Sequence, residues 1–171
     1  MIILGIDPGL AETGWGIIKE TTDGWKVSDY GSIKTKSQTP ISERLSEIHQ
    51  EITSLIEKYK PGVAAIEELF FGANAKTAIK VGEARGAMLL ACGEKRVPVS
   101  EYTPLQIKIA LTGYGRAEKS QVQKMVKRFL NLKKIPKPNH AADALACAYC
   151  HAVSESKLKA QNSNVKTTSQ N

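Results

Sequence analysis

The chain has 171 residues, 42 % of them hydrophobic and 24 % charged, which suits one globular domain with an ordinary core. No apolar run reaches the roughly 18 residues of a membrane span, and a strand pattern starts at once with no basic leader, so no membrane role and a cytoplasmic location are expected. The net charge of +7 divides unevenly: residues 1–70 hold 7 Lys/Arg against 11 Asp/Glu, and residues 71–171 hold 17 against 6, which points to a polyanionic partner for the second half or to a solvated basic face.

Residues 2–6 read as a buried strand ending in Asp7-Pro8-Gly9. Residues 14–19 and 25–34 read as two more strands, with Asp23-Gly24 as the hairpin signal between them, giving an antiparallel meander. A helix follows over 41–59, where Ile41, Leu45, Ile48, Ile52, Leu55, Ile56 and Tyr59 keep helical spacing and Pro61-Gly62 ends it. Residues 63–67, VAAIE, form a short apolar strand.

A helix over about 74–92 carries Gly82 and Gly86 on one face. Each costs about 1 kcal/mol relative to alanine, so a backbone is expected to approach there, from the domain's own sheet or from a second subunit. A strand at 97–101 and a helix after Thr103-Pro104 come next. The amphipathic helix over 118–130 turns Val122, Met125, Val126, Phe129 and Leu130 inward and Lys119, Lys124, Lys127 and Arg128 outward. A last helix is expected from 140 to 152, and residues 154–171 read as a disordered tail beyond a 1–153 domain. Cys92, Cys147 and Cys150 fit reduced, buried thiols. The order βββαβαβ followed by helices predicts an α/β fold with a mixed sheet flanked by helices.

Three carboxylates stand out. Asp7 alone reads as part of a turn. Glu67 repeats the pattern, an apolar strand ending in a carboxylate, and if the strands are neighbours the two acids share one sheet edge. Glu68 points to the opposite face by alternation. Asp143 sits among Ala141, Ala142, Ala144 and Ala146, where a charge must be paired with a base or bound to a metal. His140 lies three positions earlier on the same helical face, after Pro138-Asn139 as stop and N-cap. Acids gathered from two strands and a helix repel one another, and Mg²⁺ with its oxygen ligands resolves that repulsion. An acidic cluster joined to a basic half suggests a metal-dependent nuclease.

The blocks GIDPGLAETGWGII, AIEELFFGANAKTAIKVGEARG, GRAEKSQVQKMV and NHAADALACA, in this order and spacing, resemble the RuvC family of Holliday junction resolvases over about residues 1–152. The resemblance implies an RNase H-like fold with a five-stranded sheet, three strands antiparallel and the rest parallel. It implies a homodimer and Mg²⁺-dependent nicking of four-way junction DNA in recombination and repair. Paired symmetric nicks, 5′-phosphate and 3′-hydroxyl ends, a short T-rich preference and the branch-migration partners RuvA and RuvB belong to the same expectation. Asp7, Glu67 and Asp143 match the family's metal-binding acids, with two ions per subunit expected. The fourth position falls on His140, where family members carry aspartate or histidine. An imidazole there also suits Mn²⁺ as a substitute. Phe70 matches a family aromatic that acts on unstacked bases, with Phe71 as its possible stand-in; packing under a loop is the other role open to it. Lys108 and Lys119 match basic residues near the scissile phosphate, and Arg85, Arg116 and Lys124 are further candidates for backbone contacts. An RNase H-like enzyme acting on RNA–DNA hybrids or other branched substrates and a catalytically silent junction binder are the alternatives.

Overall fold

The computed structural model describes residues 1–68 and 75–168, with side chains over 1–68, 78–158 and 161. Five strands, β1 (Ile2–Asp7), β2 (Glu12–Thr21), β3 (Gly24–Lys34), β4 (Val63–Glu67) and β5 (Val99–Tyr102), form one sheet in the order β3-β2-β1-β4-β5. β1, β2 and β3 are antiparallel neighbours, while β4 pairs in parallel with β1 and β5. The expected meander and mixed sheet are both present.

Alternation along each strand sorts the core into two layers. Leu4, Ile6, Ile17, Ala64 and Ile66 face α1 (Ile41–Tyr59) and α2 (Ala75–Glu94). Ile3, Ile18, Val63 and Ala65 face α3 (Pro104–Thr112), α4 (Lys119–Phe129) and α5 (Asn139–Thr168). α1 spans the predicted residues and buries Ile48, Ile52, Leu55 and Ile56; Lys60, in the left-handed conformation, ends it. Each such aliphatic side chain contributes about 1.5–3 kcal/mol when fully buried. Capping boxes start α3 and α4, Thr103 with Gln106 on the first and Glu118 with Gln121 on the second.

The structure differs from the sequence reading at two places and narrows an open choice at a third. α5 continues to Thr168, past residue 154 where a disordered tail was expected. No proline or glycine interrupts 139–168, so the backbone ladder propagates beyond the last buried turn. Asn139 is the first residue of α5 rather than its cap, and its side-chain oxygen accepts from Lys137 Nζ at 2.8 Å. On α2 the buried face is Ala84, Met88, Ala91 and Cys92, while a Cβ built on Gly82, Gly86 or Gly93 meets nothing within 4 Å among the described residues. The sheet is therefore not the neighbour these glycines make room for.

All three cysteines are free and buried, and burial pushes the Cys150 thiol up to about 11. No helix among the described residues is long and apolar enough to cross a membrane.

Candidate metal-dependent nuclease site

Asp7 closes β1 and Glu67 closes β4. The parallel register runs through Ile6↔Ile66, which sets the two carboxylates side by side at the carboxyl edge of the sheet. Ile3, Gly5 and Asp7 share one strand face, as do Val63, Ala65 and Glu67, so both acids project toward the α5 layer.

α5 reaches that edge because three strand residues lack side chains. A Cβ on Gly5 would overlap the Ala144 carbonyl oxygen, one on Gly14 the His140 carbonyl, and one on Gly16 the Leu145 side chain. The opposing helix surface is equally small, with Ala141, Ala144 and Ala148 fully buried. This close helix–sheet seat holds the first turns of α5, and with them His140 and Asp143, over the ends of β1 and β4. Sequence reading used Gly14 and Gly16 only as part of a strand and missed this role. The available signal was the match between strand glycines and the alanine run at 141–148.

The four predicted residues meet. His140 Nδ1 lies 2.7 Å from Asp7 Oδ2 and is placed to donate to it. Lys119 Nζ of α4 ion-pairs with Asp143 Oδ2. Ligand atoms of Asp7, His140 and Asp143 all lie within 4.8 Å of one another. Glu67 lines the same cavity, of about 390 Å³, together with Lys108, Lys119, Pro104 and Ile107. Burial, reinforced by the charges of Asp7 and Asp143, pushes the Glu67 carboxyl up to about 7. Burial also raises Asp7, against the pull of the His140 hydrogen bond. These carboxyls are short of positive charge, and Lys119 supplies only part of it. A group of oxygen donors with one imidazole, desolvated and mutually repelling, fits a hard divalent cation.

The remaining predicted contacts separate. Lys108 and Lys119 line the cavity. Arg116, on the loop between α3 and α4, and Lys124, on α4, are exposed outside it. Arg85 turns instead to Glu101 of β5, with which it forms an ion pair. Phe70 and Phe71 lie outside the described residues. Glu68 does not line the cavity, and its backbone N–H donates to the Tyr102 carbonyl at 2.9 Å.

Comparison with known proteins agrees with this geometry. The family model described as crossover junction endodeoxyribonuclease RuvC matches residues 3–151. The chain belongs to the RuvC family. A RuvC crossover junction endodeoxyribonuclease of Caldicellulosiruptor saccharolyticus is 52 % identical over 166 residues, 96 % of this chain and 100 % of the relative. The Thermus thermophilus RuvC structure matches with a TM-score of 0.84 at 40 % identity, over 90 % of this chain and 94 % of that one. T. thermophilus RuvC in complex with a Holliday junction substrate matches at 0.82 and 38 % identity, over the same shares. Membership of the RuvC family makes the chain a nuclease of RNase H-like fold, with the cavity at the ends of β1 and β4 as its candidate catalytic centre.

Proposed function

We propose that this chain resolves Holliday junctions, acting as a homodimer that nicks two symmetry-related strands of a four-way DNA junction. The observation that carries the proposal is the meeting of Asp7, Glu67, His140 and Asp143 in one cavity with Lys108 and Lys119 on its wall. A silent binder has no use for carboxylates held against their own repulsion beside DNA phosphates.

Asp7, Glu67 and Asp143 would hold Mg²⁺, two ions per subunit, with His140 as a fourth ligand or as the group that orients the attacking water; Mn²⁺ is a suitable substitute. When bound, such ions supply Lewis acidity and water activation for phosphodiester hydrolysis. The chain's own part is positioning. Lys108 and Lys119 neutralise the scissile phosphate, and Lys119 leaves Asp143 to do so. The water gives up a proton as its oxygen bonds to phosphorus, the P–O3′ bond breaks, and the departing 3′ oxygen takes up a proton in exchange, leaving a 5′-phosphate and a 3′-hydroxyl.

Phe70, with Phe71 as its stand-in, would stack on unpaired bases, while Arg116 and Lys124 contact backbone outside the cavity. Arg85 would do so only after release from Glu101. A T-rich cleavage preference, coupling to RuvA and RuvB, a cytoplasmic location and a 1–153 nuclease domain complete the proposal. The dimer would form on the outer stripe of α2. Ile79 and Leu90 are 61 % and 57 % exposed there, spaced helically with Gly82, Gly86 and Gly93.

Nicking of a mobile four-way junction, a linear duplex and an RNA–DNA hybrid, each with Mg²⁺ or EDTA, tests the proposal. Mg²⁺-dependent paired nicks in the junction alone are expected. Equal cleavage of the linear duplex, or preference for the hybrid, defeats it.

A further inference from the structure

Residues 102–142 carry nine Lys/Arg and a single acid, Glu118. The cavity uses Lys108 and Lys119. Lys124, Lys127 and Arg128 lie further along α4, and Lys133 and Lys134 on the segment after it; all five are exposed. None of the five has an ion-pair partner among the described residues. A merely solvated helix face normally interleaves both signs. Here no carboxylate occurs between Glu118 and Asp143, so the repulsion stays uncompensated within the fold.

The ridge is also packed in place from behind. Val122, Val126 and Leu130 bury the other side of α4. Phe129 stacks on Tyr149 of α5 with ring centroids 5.0 Å apart and planes within 7°. Lys124, Lys127, Arg128 and Asn131 border one shallow groove. Lys119, which lines the catalytic cavity, opens the same helix. At about 1.5 Å rise per residue, Lys127 lies about 12 Å along the axis from Lys119. Phosphates of one strand advance about 3.4 Å each, so the helix spans about four of them.

We propose that Lys124, Lys127 and Arg128 form a phosphate-tracking ridge that grips a duplex arm of the junction outside the crossover. The proposal rests on the junction-nuclease reading above and extends it from the cavity to the arm. The ridge contacts backbone charge only, so it adds affinity without sequence preference.

The test is equilibrium binding by the full chain and by a Lys127→Gln/Arg128→Gln variant, in EDTA, to short-armed and long-armed junctions and to a linear duplex. Wild type should favour long arms, and the variant should lose that preference. Its salt slope should flatten by about two phosphates' worth, so that affinity falls about 12-fold less between 50 and 200 mM salt. A Lys127→Arg variant should behave as wild type. An unchanged slope overturns the ridge and leaves an acidic protein as its occupant; equal losses on short and long arms overturn it too. Equal wild-type affinity for duplex and junction would instead sink the junction reading, separately from the slope.

Discussion

Glu67→Gln should stabilise the metal-free protein while destroying its activity. The wild-type carboxyl is held at about 7 instead of 4.5, first by burial and then by the charges of Asp7 and Asp143. Between those pH values the folded state binds the proton more tightly than the unfolded chain. Stability therefore falls as pH rises from about 4.5 through 7 and stays low above it. The full gap corresponds to about 3 kcal/mol at roughly 1.4 kcal/mol per pH decade. Glutamine keeps the shape and never ionises. Urea unfolding in EDTA at pH 8 should show the variant about 1–3 kcal/mol more stable than wild type, and the difference should close as the pH approaches 4.5. Added Mg²⁺ should stabilise wild type more than the variant. A variant no more stable than wild type at pH 8 in EDTA would refute the reasoning, because the carboxylate would then carry no burial penalty.

His140→Asp should retain junction cleavage, since both side chains can act beside Asp7, whereas His140→Ala should lower turnover far more than junction binding; near-normal turnover of the alanine variant would sink the assigned role. Gly5→Ala should cost about 1–3 kcal/mol or more, because its Cβ meets the Ala144 carbonyl and must push α5 off the sheet. Thermal melts would read that cost, and a neutral result would deny the close seat. Leu90→Glu, on the exposed stripe of α2, should shift sedimentation toward monomer and reduce paired nicking with the fold intact; an unchanged dimer would place the interface elsewhere.

What was legible in the sequence was local or periodic. The strand ends at Asp7 and Glu67 stood out because each apolar run stops at a carboxylate, and α1 because its aliphatic residues keep helical spacing up to Pro61-Gly62. The site's carboxylates followed from that repetition and from the cost of Asp143 in an alanine run. The ion pair between Lys119 and Asp143 joins residues 24 apart, on helices whose angle no local pattern encodes. The pairing of Arg85 on α2 with Glu101 on β5 is likewise non-local, since no local pattern encodes where a helix lies on the sheet. Gly5, Gly14 and Gly16 acquire meaning only once α5 is laid on them. The length of α5 was missed because polar composition was read as disorder, although no proline or glycine breaks 139–168 and a helix already nucleated by packing adds one backbone bond per further residue.

The central claim is that Asp7 and Asp143 serve chemistry rather than architecture. Single-turnover cleavage of a four-way junction by Asp7→Asn and Asp143→Asn, with junction affinity measured in parallel in EDTA, tests it most directly. Both variants should lose cleavage while binding the junction as tightly as wild type or more tightly, since each removes a negative charge facing DNA phosphates. Cleavage that persists in either variant, or that falls only in step with affinity, would contradict the account.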